Sequence, residues 1–281
     1  MKSITGLHSI YKAFDIFLID LNGVVHDGEV LYDSVPECLD QLKAAGKKIV
    51  FLSNMPRSGE IAMRKLETLG LDVEGYHILT SGDAVRAQLQ NPTDAVFQNL
   101  GPHFYHFGAQ TNEDLLKDLD VKSVESLDEA DYILVSKYLG WDETISDFKT
   151  FLQDCLERQL PMVCVNPDVS VIHAGRKRYT AGIFGEEYER MGGKVYYYGK
   201  PHPQIYNTIF NRYGSDKKYL MIGDNLDTDI QGARQAHISS LLVLTGNTGD
   251  ILEKEPEFSL KQYIKEFEKP SPTYVAPRLI W

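Results

Sequence analysis

Cysteine is scarce in this sequence, and long apolar runs are absent. Only three cysteines occur among 281 residues, without a Cys-x-x-Cys spacing. This pattern predicts a reducing compartment and excludes both a disulfide framework and a cysteine-based zinc site. Residues 1–15 contain no apolar run long enough for a signal peptide, and no later stretch approaches a membrane span. We therefore expect a cytoplasmic protein without a membrane partner.

Basic residues are also fewer than acidic residues. The chain has 29 Lys and Arg against 40 Asp and Glu, which gives a formal net charge of -11. A surface this acidic argues against nucleic acid or an anionic membrane as the main partner. The apolar share of 43% and the charged share of 25% are typical of globular proteins. They exclude a disordered, collagen-like or coiled-coil chain.

The pattern along the chain predicts an α/β fold with a largely parallel sheet, because short apolar segments alternate with helical patterns. Four segments have the composition of buried strands: residues 14–21, 47–53, 217–223 and 239–246. Residues 81–191 have an α/β alternation of their own. We predict a core formed by residues 1–80 and 192–281, with residues 81–191 inserted as a second α/β domain.

Polar side chains stand at the ends of four predicted strands. They are Asp20 with Asn22, Ser53 with Asn54, Asp224 with Asp229, and Lys200, which follows a further strand candidate that contains Tyr196-Tyr197-Tyr198. Each alone has an ordinary explanation as a turn, a loop, a solvated lysine or a helix cap. Ligands of an open parallel sheet, however, bind beyond the carboxyl ends of its strands, so we expect these side chains to meet.

Together these groups have the chemistry needed for phosphoryl transfer. Asp20 and Asp224 can hold a hard divalent cation, which prefers oxygen ligands. That cation, with Lys200 and the Ser53 hydroxyl, can neutralise the oxygens of a phosphoryl group. Asp20 is then able to attack phosphorus and form an aspartyl-phosphate.

The same motifs, in this order, resemble the haloacid dehalogenase (HAD) superfamily of phosphohydrolases. The four motifs correspond to Asp20-Leu21-Asn22-Gly23-Val24, Ser53, Lys200, and Gly223-Asp224 through Thr228-Asp229. The insert lies where the class-two caps of the superfamily lie. Further motifs resemble the subfamily IIA branch of pyridoxal-phosphate, nucleotide and p-nitrophenyl phosphatases: Leu52-Ser53-Asn54, Val165-Asn166-Pro167-Asp168, Gly199-Lys200-Pro201 and Leu244-Thr245-Gly246.

This resemblance implies a Rossmann-like core and a magnesium site. Asp20 would be the nucleophile and a Mg²⁺ ligand. The backbone carbonyl of Asn22 and the carboxylate of Asp224 would complete the protein's contacts with the ion. Asn225 and Asp229 would orient the groups around it.

The resemblance also implies how a substrate would bind. Ser53 and Lys200 would bind the phosphoryl oxygens, with Asn54 beside them, while Arg57 either contacts the phosphoryl group or begins a helix. The substrate would be a small phosphorylated metabolite, enclosed by the cap. Capped relatives often dimerise through the cap, so a homodimer is one expectation.

Asn22 departs from the family pattern, because phosphatases of this superfamily usually carry an aspartate there as general acid and base. An asparagine cannot exchange protons at neutral pH. Since general acid–base catalysis contributes about 10²–10⁴-fold, we expect a slow phosphatase or one that needs a good leaving group. His26, Asp27 or deamidation of Asn22 could supply the missing acid. The alternative function is a catalytically weakened phospho-ligand-binding or regulatory protein.

One basic run, Arg176-Lys177-Arg178, lies in the predicted cap. It could hold a carboxylate or a second phosphate of the substrate, or it could form an exposed loop. Hydrolytic dehalogenation is disfavoured, because that chemistry needs no cation and the chain keeps the acidic residues Asp224 and Asp229.

Overall fold

Two parallel β-sheets organise the chain in a computed structural model. The structure describes residues 1–108 and 110–281, with the backbone alone for Gln110, Thr111 and Glu113. The strands, in chain order, are β1 (Lys2–Ser3), β2 (Ile16–Ile19), β3 (Lys48–Ser53), β4 (His77–Thr80), β5 (His103–Phe107), β6 (Lys122–Val124), β7 (Tyr132–Val135), β8 (Met162–Cys164), β9 (Ser170–His173), β10 (Arg176–Tyr179), β11 (Val195–Tyr197), β12 (Tyr219–Gly223), β13 (Ser239–Val243) and β14 (Tyr274–Ala276).

The helices lie between these strands. They are α1 (Val35–Ala44), α2 (Gly59–Thr68), α3 (Ser81–Gln90), α4 (Ala95–Asn99), α5 (Lys149–Glu157), α6 (Ala181–Arg190), α7 (Pro203–Tyr213), α8 (Gln231–Gln235), α9 (Asn247–Lys254) and α10 (Leu260–Glu266). Short 3₁₀ turns occur at Leu7–Ser9, Tyr11–Ala13, Gln110–Leu115, Leu127–Glu129 and Ile145–Phe148, and a π-helical turn at Leu226–Ile230.

The first sheet has the strand order β1-β14-β13-β12-β2-β3-β4, and its strands pair in parallel. The second sheet has the order β11-β8-β7-β5-β6 and is also parallel. Strands β9 and β10 form a separate antiparallel hairpin. The predicted α/β class, with a parallel core sheet and a further α/β unit, is confirmed.

The central strand β2 shows why strands of the core sheet are continuous apolar segments in the sequence. Phe17 and Ile19 pack with side chains of α1 and α2, whereas Ile16 and Leu18 pack on the opposite face with α7. Successive side chains of a strand point to opposite faces, so a strand covered on both sides needs apolar residues at every position.

Strand β11 follows residue 191 in the sequence and pairs with β8 in the second sheet. Val195 and Tyr197 pack against the apolar cluster that contains Phe184 and Tyr188, and this packing holds the strand there. Lys200 therefore follows a strand of the second sheet, not of the core sheet. The division into residues 1–80 with 192–281 and an insert of 81–191 stays a prediction.

Strands β12, β2 and β3 are neighbours in the core sheet. Asp224 follows β12, Asp20 follows β2, and Ser53 ends β3. Parallel strands present their carboxyl ends at one edge, so the topology brings these three side chains to the same place.

Candidate active site

A cavity of about 340 Å³ opens at this edge of the core sheet. The predicted site residues that line it are Asp20, Asn22, Ser53, Asn54, Arg57, Lys200, Asp224, Asn225 and Asp229. The structure thus brings together side chains that lie up to about two hundred positions apart in the sequence. A cavity of this size accommodates a small metabolite.

Lys200 lies at the centre of the polar groups. Its ammonium donates to Asp20 Oδ1 at 2.5 Å and to Asp229 Oδ1 at 2.7 Å, and the residue is only 1% exposed. It is not the solvated lysine that a strand end also allows. Burial alone lowers the pKa of Lys200, but the carboxylates of Asp20 and Asp229 outweigh burial and hold that pKa above its ordinary value.

Asn54 fixes the backbone of Lys200 by a reciprocal pair of hydrogen bonds. The Lys200 N–H donates to Asn54 Oδ1 at 2.7 Å, and Asn54 Nδ2 donates to the Lys200 carbonyl at 2.8 Å. Asn54 directly follows β3, so these bonds connect the core sheet to the segment after β11. The Asn54 amide thereby positions the lysine.

Three buried carboxylates face this single ammonium. Oxygens of Asp20, Asp224 and Asp229 all lie within 4.8 Å of one another. Burial raises the pKa of Asp20 well above its ordinary value, and burial followed by repulsion from Asp229 raises the pKa of Asp224 to about 7. Excess negative charge in a buried place fits a divalent cation with oxygen ligands.

Gly23 and Gly246 lie so close to the Asp224 carboxylate that neither position has room for a side chain. Gly23 has φ +84°, and a Cβ there would lie 2.5 Å from Asp224 Oδ2. Gly246 precedes α9, whose first residue, Asn247, donates to Asp224 Oδ2 through its backbone N–H at 2.5 Å and its Nδ2 at 2.9 Å. The helix start therefore orients this carboxylate.

Asn247 was not identified from the sequence, although it follows the Leu244-Thr245-Gly246 motif.

Asp229 organises the loop after β12. Its Oδ2 accepts from the backbone N–H groups of Asp224 and Asn225 at 3.1 Å each, while Oδ1 accepts from Lys200. The Asn225 side chain caps the π-helical turn by accepting from the Asp227 N–H at 2.9 Å. Asp229 thus connects the lysine to the Asp224 backbone.

Ser53 and Arg57 stand at the β3 side of the cavity. Ser53 Oγ accepts from the Met55 N–H at 3.2 Å, and the residue is 8% exposed. Arg57 Nε donates to Asp114 Oδ1 at 2.9 Å, so this cation is already paired with a carboxylate. Arg57 lies in the loop just before α2 and lines the cavity from there.

Asn22 and the residues after it reach the β9–β10 hairpin. Asn22 Nδ2 donates to the backbone carbonyl of Ile172 at 2.9 Å. His26 lines the cavity and is 2% exposed. Asp27 Oδ1 instead accepts from the Glu29 and Val30 N–H groups at 2.9 Å each. Of the two candidates for a replacement acid, His26 therefore lies in the cavity wall, and the Asp27 side chain caps its own turn.

Further residues line this cavity. Arg178 of the basic run 176–178 lines it, as do Asn166 and Asp168 of the Val165-Asn166-Pro167-Asp168 motif. Lys65 of α2 and Tyr138 also line it, and these two were not identified from the sequence. Burial raises the pKa of Asp168 to about 6. Their neighbourhood depends on how the hairpin and the second sheet lie over the core, which a local sequence pattern does not encode.

The chain belongs to the haloacid dehalogenase-like hydrolases. The family model described as haloacid dehalogenase-like hydrolase matches residues 84–237, a second model of that description matches 17–122, and a HAD-hydrolase-like model matches 197–280. The resemblance stated from the motifs, and the predicted enzyme class of HAD-like hydrolase, are confirmed.

Curated relatives of this chain are phosphatases. The chain is 27% identical over 291 residues to phosphoglycolate phosphatase 1A, chloroplastic, of Arabidopsis thaliana, covering 91% of this chain and 75% of the relative. It is 27% identical over 284 residues to the 4-nitrophenylphosphatase of Schizosaccharomyces pombe, covering 91% and 93%.

A solved structure with a similar fold is a haloacid dehalogenase-like hydrolase from Brucella suis 1330. It has a TM-score of 0.83 and 26% identity, over 99% of this chain and 100% of that chain. The 4-nitrophenylphosphatase of Thermotoga maritima shares the fold with a TM-score of 0.71 at 21% identity, over 94% of both chains.

Among the described residues, no helix is both long enough and apolar enough to span a bilayer. The cytoplasmic location stays a prediction, since one curated relative is named as chloroplastic.

Proposed function

We propose that this hydrolase cleaves phosphate monoesters of small metabolites, with Asp20 as the nucleophile and Mg²⁺ as the cofactor. The observation that carries the proposal is the buried Lys200 ammonium, which bridges Asp20 and Asp229 beside Asp224. The phosphatase names of the curated relatives support it.

Asp20, Asp224 and the backbone carbonyl of Asn22 would hold Mg²⁺, which supplies positive charge next to the phosphoryl oxygens. Lys200 favours the ionised form of Asp20, against the effect of burial, and orients its carboxylate. An ammonium has three donors, and two of them are used by Asp20 and Asp229, so the third is available for a phosphoryl oxygen. The Ser53 hydroxyl donates to a second phosphoryl oxygen.

In the first step, Asp20 attacks phosphorus, the P–O ester bond breaks, and the leaving oxygen departs as an anion that takes up a proton from solvent water. In the second step, water attacks the phosphorus of the aspartyl-phosphate, which releases inorganic phosphate and restores the Asp20 carboxylate. Asn22 cannot deliver the proton of the first step. We therefore expect aryl and acyl phosphates, whose leaving groups need no acid, to be the fastest substrates.

The experiment is a Mg²⁺-dependent turnover assay on a panel of phosphate monoesters that includes p-nitrophenyl phosphate and acetyl phosphate. We expect Asp20→Asn to lower turnover by about 10³-fold or more, because the nucleophile is lost. Asp40→Asn, which removes an exposed carboxylate on α1, is the matched control and should retain activity.

The alternative function, a phospho-ligand-binding or regulatory protein, has a distinct outcome in the same assay. Tight binding of phosphate esters without turnover, even of acetyl phosphate, would favour the binding protein. Turnover that survives both Asp20→Asn and chelation of Mg²⁺ would contradict the proposed mechanism. The homodimer through the cap stays a prediction, which sedimentation of the intact chain would test.

A further inference from the structure

The active-site cavity is lined by three donor side chains that the proposed chemistry does not use. They are His26 in the loop after β2, Lys65 on α2 and Arg178 on β10, and all three line the cavity that contains Asp20. They come from three separate elements, two in the core and one in the hairpin. Their common property is that each presents an N–H group for an oxygen acceptor.

His26 holds a buried donor without a partner. Its Nδ1 accepts from the Gly28 N–H at 3.0 Å, so the neutral ring carries its proton on Nε2. His26 is 2% exposed, and its Nε2 has no hydrogen-bond partner among the described atoms. A buried N–H group that lacks a partner is unfavourable, so it is expected to meet an acceptor in the functional complex.

Lys65 lines the same cavity as this imidazole. The pKa of His26 is lowered to about 3 by burial and then by the Lys65 ammonium. Burial also lowers the pKa of Lys65, although the Asp27 carboxylate opposes this. Among the side chains that the structure describes, no carboxylate forms an ion pair with Lys65, whereas Lys200 has two such partners.

Arg178 brings a further cation from the hairpin. Its guanidinium lies 5.3 Å from the ring centre of Tyr138 and 5.4 Å from that of Trp141, which orients it. Its Nε makes one long contact, 3.5 Å, with the Leu139 carbonyl. The two aromatic rings therefore hold the guanidinium in place without neutralising its charge.

We propose that the leaving group of the substrate carries a second anionic group, a carboxylate or a second phosphate, which binds Lys65, His26 Nε2–H and Arg178. This inference rests on the proposed function and names the substrate class of the same cavity. An anion with several acceptor oxygens satisfies an ammonium, a guanidinium and an imidazole N–H together. A neutral leaving group leaves these donors unpaired, which gives the site its selectivity.

The experiment compares esters that differ only in the second charge. Carboxymethyl phosphate and ethyl phosphate have leaving groups of similar size, and ethane-1,2-diyl bisphosphate supplies a second phosphate. We expect kcat/KM to be roughly tenfold or more higher for one of the two anionic esters than for ethyl phosphate. The anionic ester with the higher value identifies the group as a carboxylate or a phosphate.

Variants of Lys65 test the assignment. Lys65→Met should lower the ratio of anionic to neutral kcat/KM by roughly tenfold or more, and Lys65→Arg should retain most of it. Arg64→Met is the matched control, because it removes a cation one position away on the exposed side of α2 and should leave the ratio unchanged. Equal ratios in Lys65→Met and the unmodified chain would overturn the proposal.

Variants of His26 supply a second, independent check. His26→Gln keeps an N–H donor and should preserve more of the ratio than His26→Leu, with circular dichroism confirming that both fold. Binding of phosphonoacetate and ethylphosphonate, measured by calorimetry, tests the same preference without turnover. If no ester is hydrolysed, p-nitrophenyl phosphate and acetyl phosphate included, the proposed function fails while the binding preference is still measurable. If turnover occurs but charged and neutral esters react equally well, only the second-anion inference fails.

Discussion

The side-chain amide of Asn22 donates a hydrogen bond to the backbone carbonyl of Ile172, with an N···O distance of 2.9 Å. This bond connects the loop that follows the candidate nucleophile to strand β9. A carboxylate at the same position accepts hydrogen bonds and cannot donate one when ionised. The asparagine therefore has a structural use in this chain that the usual aspartate would not serve.

Replacing Asn22 with aspartate separates two effects of this residue: the absence of a general acid and the hydrogen bond to Ile172. We expect Asn22→Asp to raise kcat by roughly tenfold or more for esters with poor leaving groups, because the missing acid is restored. We also expect KM to rise, because an ionised aspartate repels the Ile172 carbonyl. Steady-state kinetics on an alkyl phosphate measure both values. Asn22→Ala, which breaks the same contact without adding an acid, should raise KM only, and an unchanged or lower kcat in Asn22→Asp would contradict the role of the acid.

Gly28 allows a second contact between this loop and the hairpin. It has φ +109°, and a Cβ at this position would lie 2.3 Å from Nδ1 of His173. We expect Gly28→Ala to lower the free energy of unfolding by about 1–3 kcal/mol and to raise KM, because the hairpin must move away. Urea unfolding and steady-state kinetics measure the two effects. Gly46→Ala carries the same kind of backbone strain at φ +70° with no atom within 4 Å, so it should lower stability without changing KM.

Lys200 is expected to stabilise the fold as well as the reaction. Lys200→Met leaves the buried carboxylates of Asp20 and Asp229 without their ammonium, and breaking a buried ion pair in this way costs about 3–5 kcal/mol. Urea unfolding of the metal-free protein measures this loss. Adding Asp229→Asn to Lys200→Met should recover part of the lost stability, because one uncompensated charge is removed. A double variant no more stable than Lys200→Met would argue against the pairing.

The sequence predicts those parts of the site that depend on local patterns. It does not predict contacts between segments that lie far apart along the chain where no such pattern exists. Asp20, Ser53 and Asp224 were predicted to meet, because their apolar strands and the edge rule for parallel sheets are local patterns. The partner of Asn22 was not predictable, since Ile172 lies far along the chain in a hairpin with no core signature. The pairing of strand β11 with β8 was not predictable either, because apolar alternation indicates a strand but not its neighbours.

Magnesium is expected to stabilise the folded protein. A ligand that binds only the folded state, at a concentration about 100 times its Kd, raises the free energy of unfolding by about 2.7 kcal/mol. We expect Mg²⁺ to raise the thermal midpoint of the unmodified chain and to have a much smaller effect on Asp224→Asn, because one proposed ligand is weakened. Thermal unfolding with and without Mg²⁺ measures this difference. Equal stabilisation of both proteins would place the ion elsewhere.

His106 of β5 should make stability depend on pH away from the active site. Its Nε2 lies 2.9 Å from Ser136 Oγ, and burial lowers the pKa of His106 from 6.5 to about 4. Between these values the unfolded chain binds a proton at this position and the folded chain does not, so stability is lost as pH falls from 6.5 to 4. The loss is on the order of 3 kcal/mol at the lower limit.

The His106→Gln variant isolates this contribution, because glutamine can keep a hydrogen bond to Ser136 but does not titrate. We expect the free energies of unfolding of the two proteins to differ by a constant amount above pH 7. Below pH 6.5 the unmodified chain should lose stability relative to His106→Gln, and urea unfolding at a series of pH values measures the difference. Parallel curves down to pH 4 would mean that His106 takes up a proton in the folded state, so that its burial does not depress its pKa.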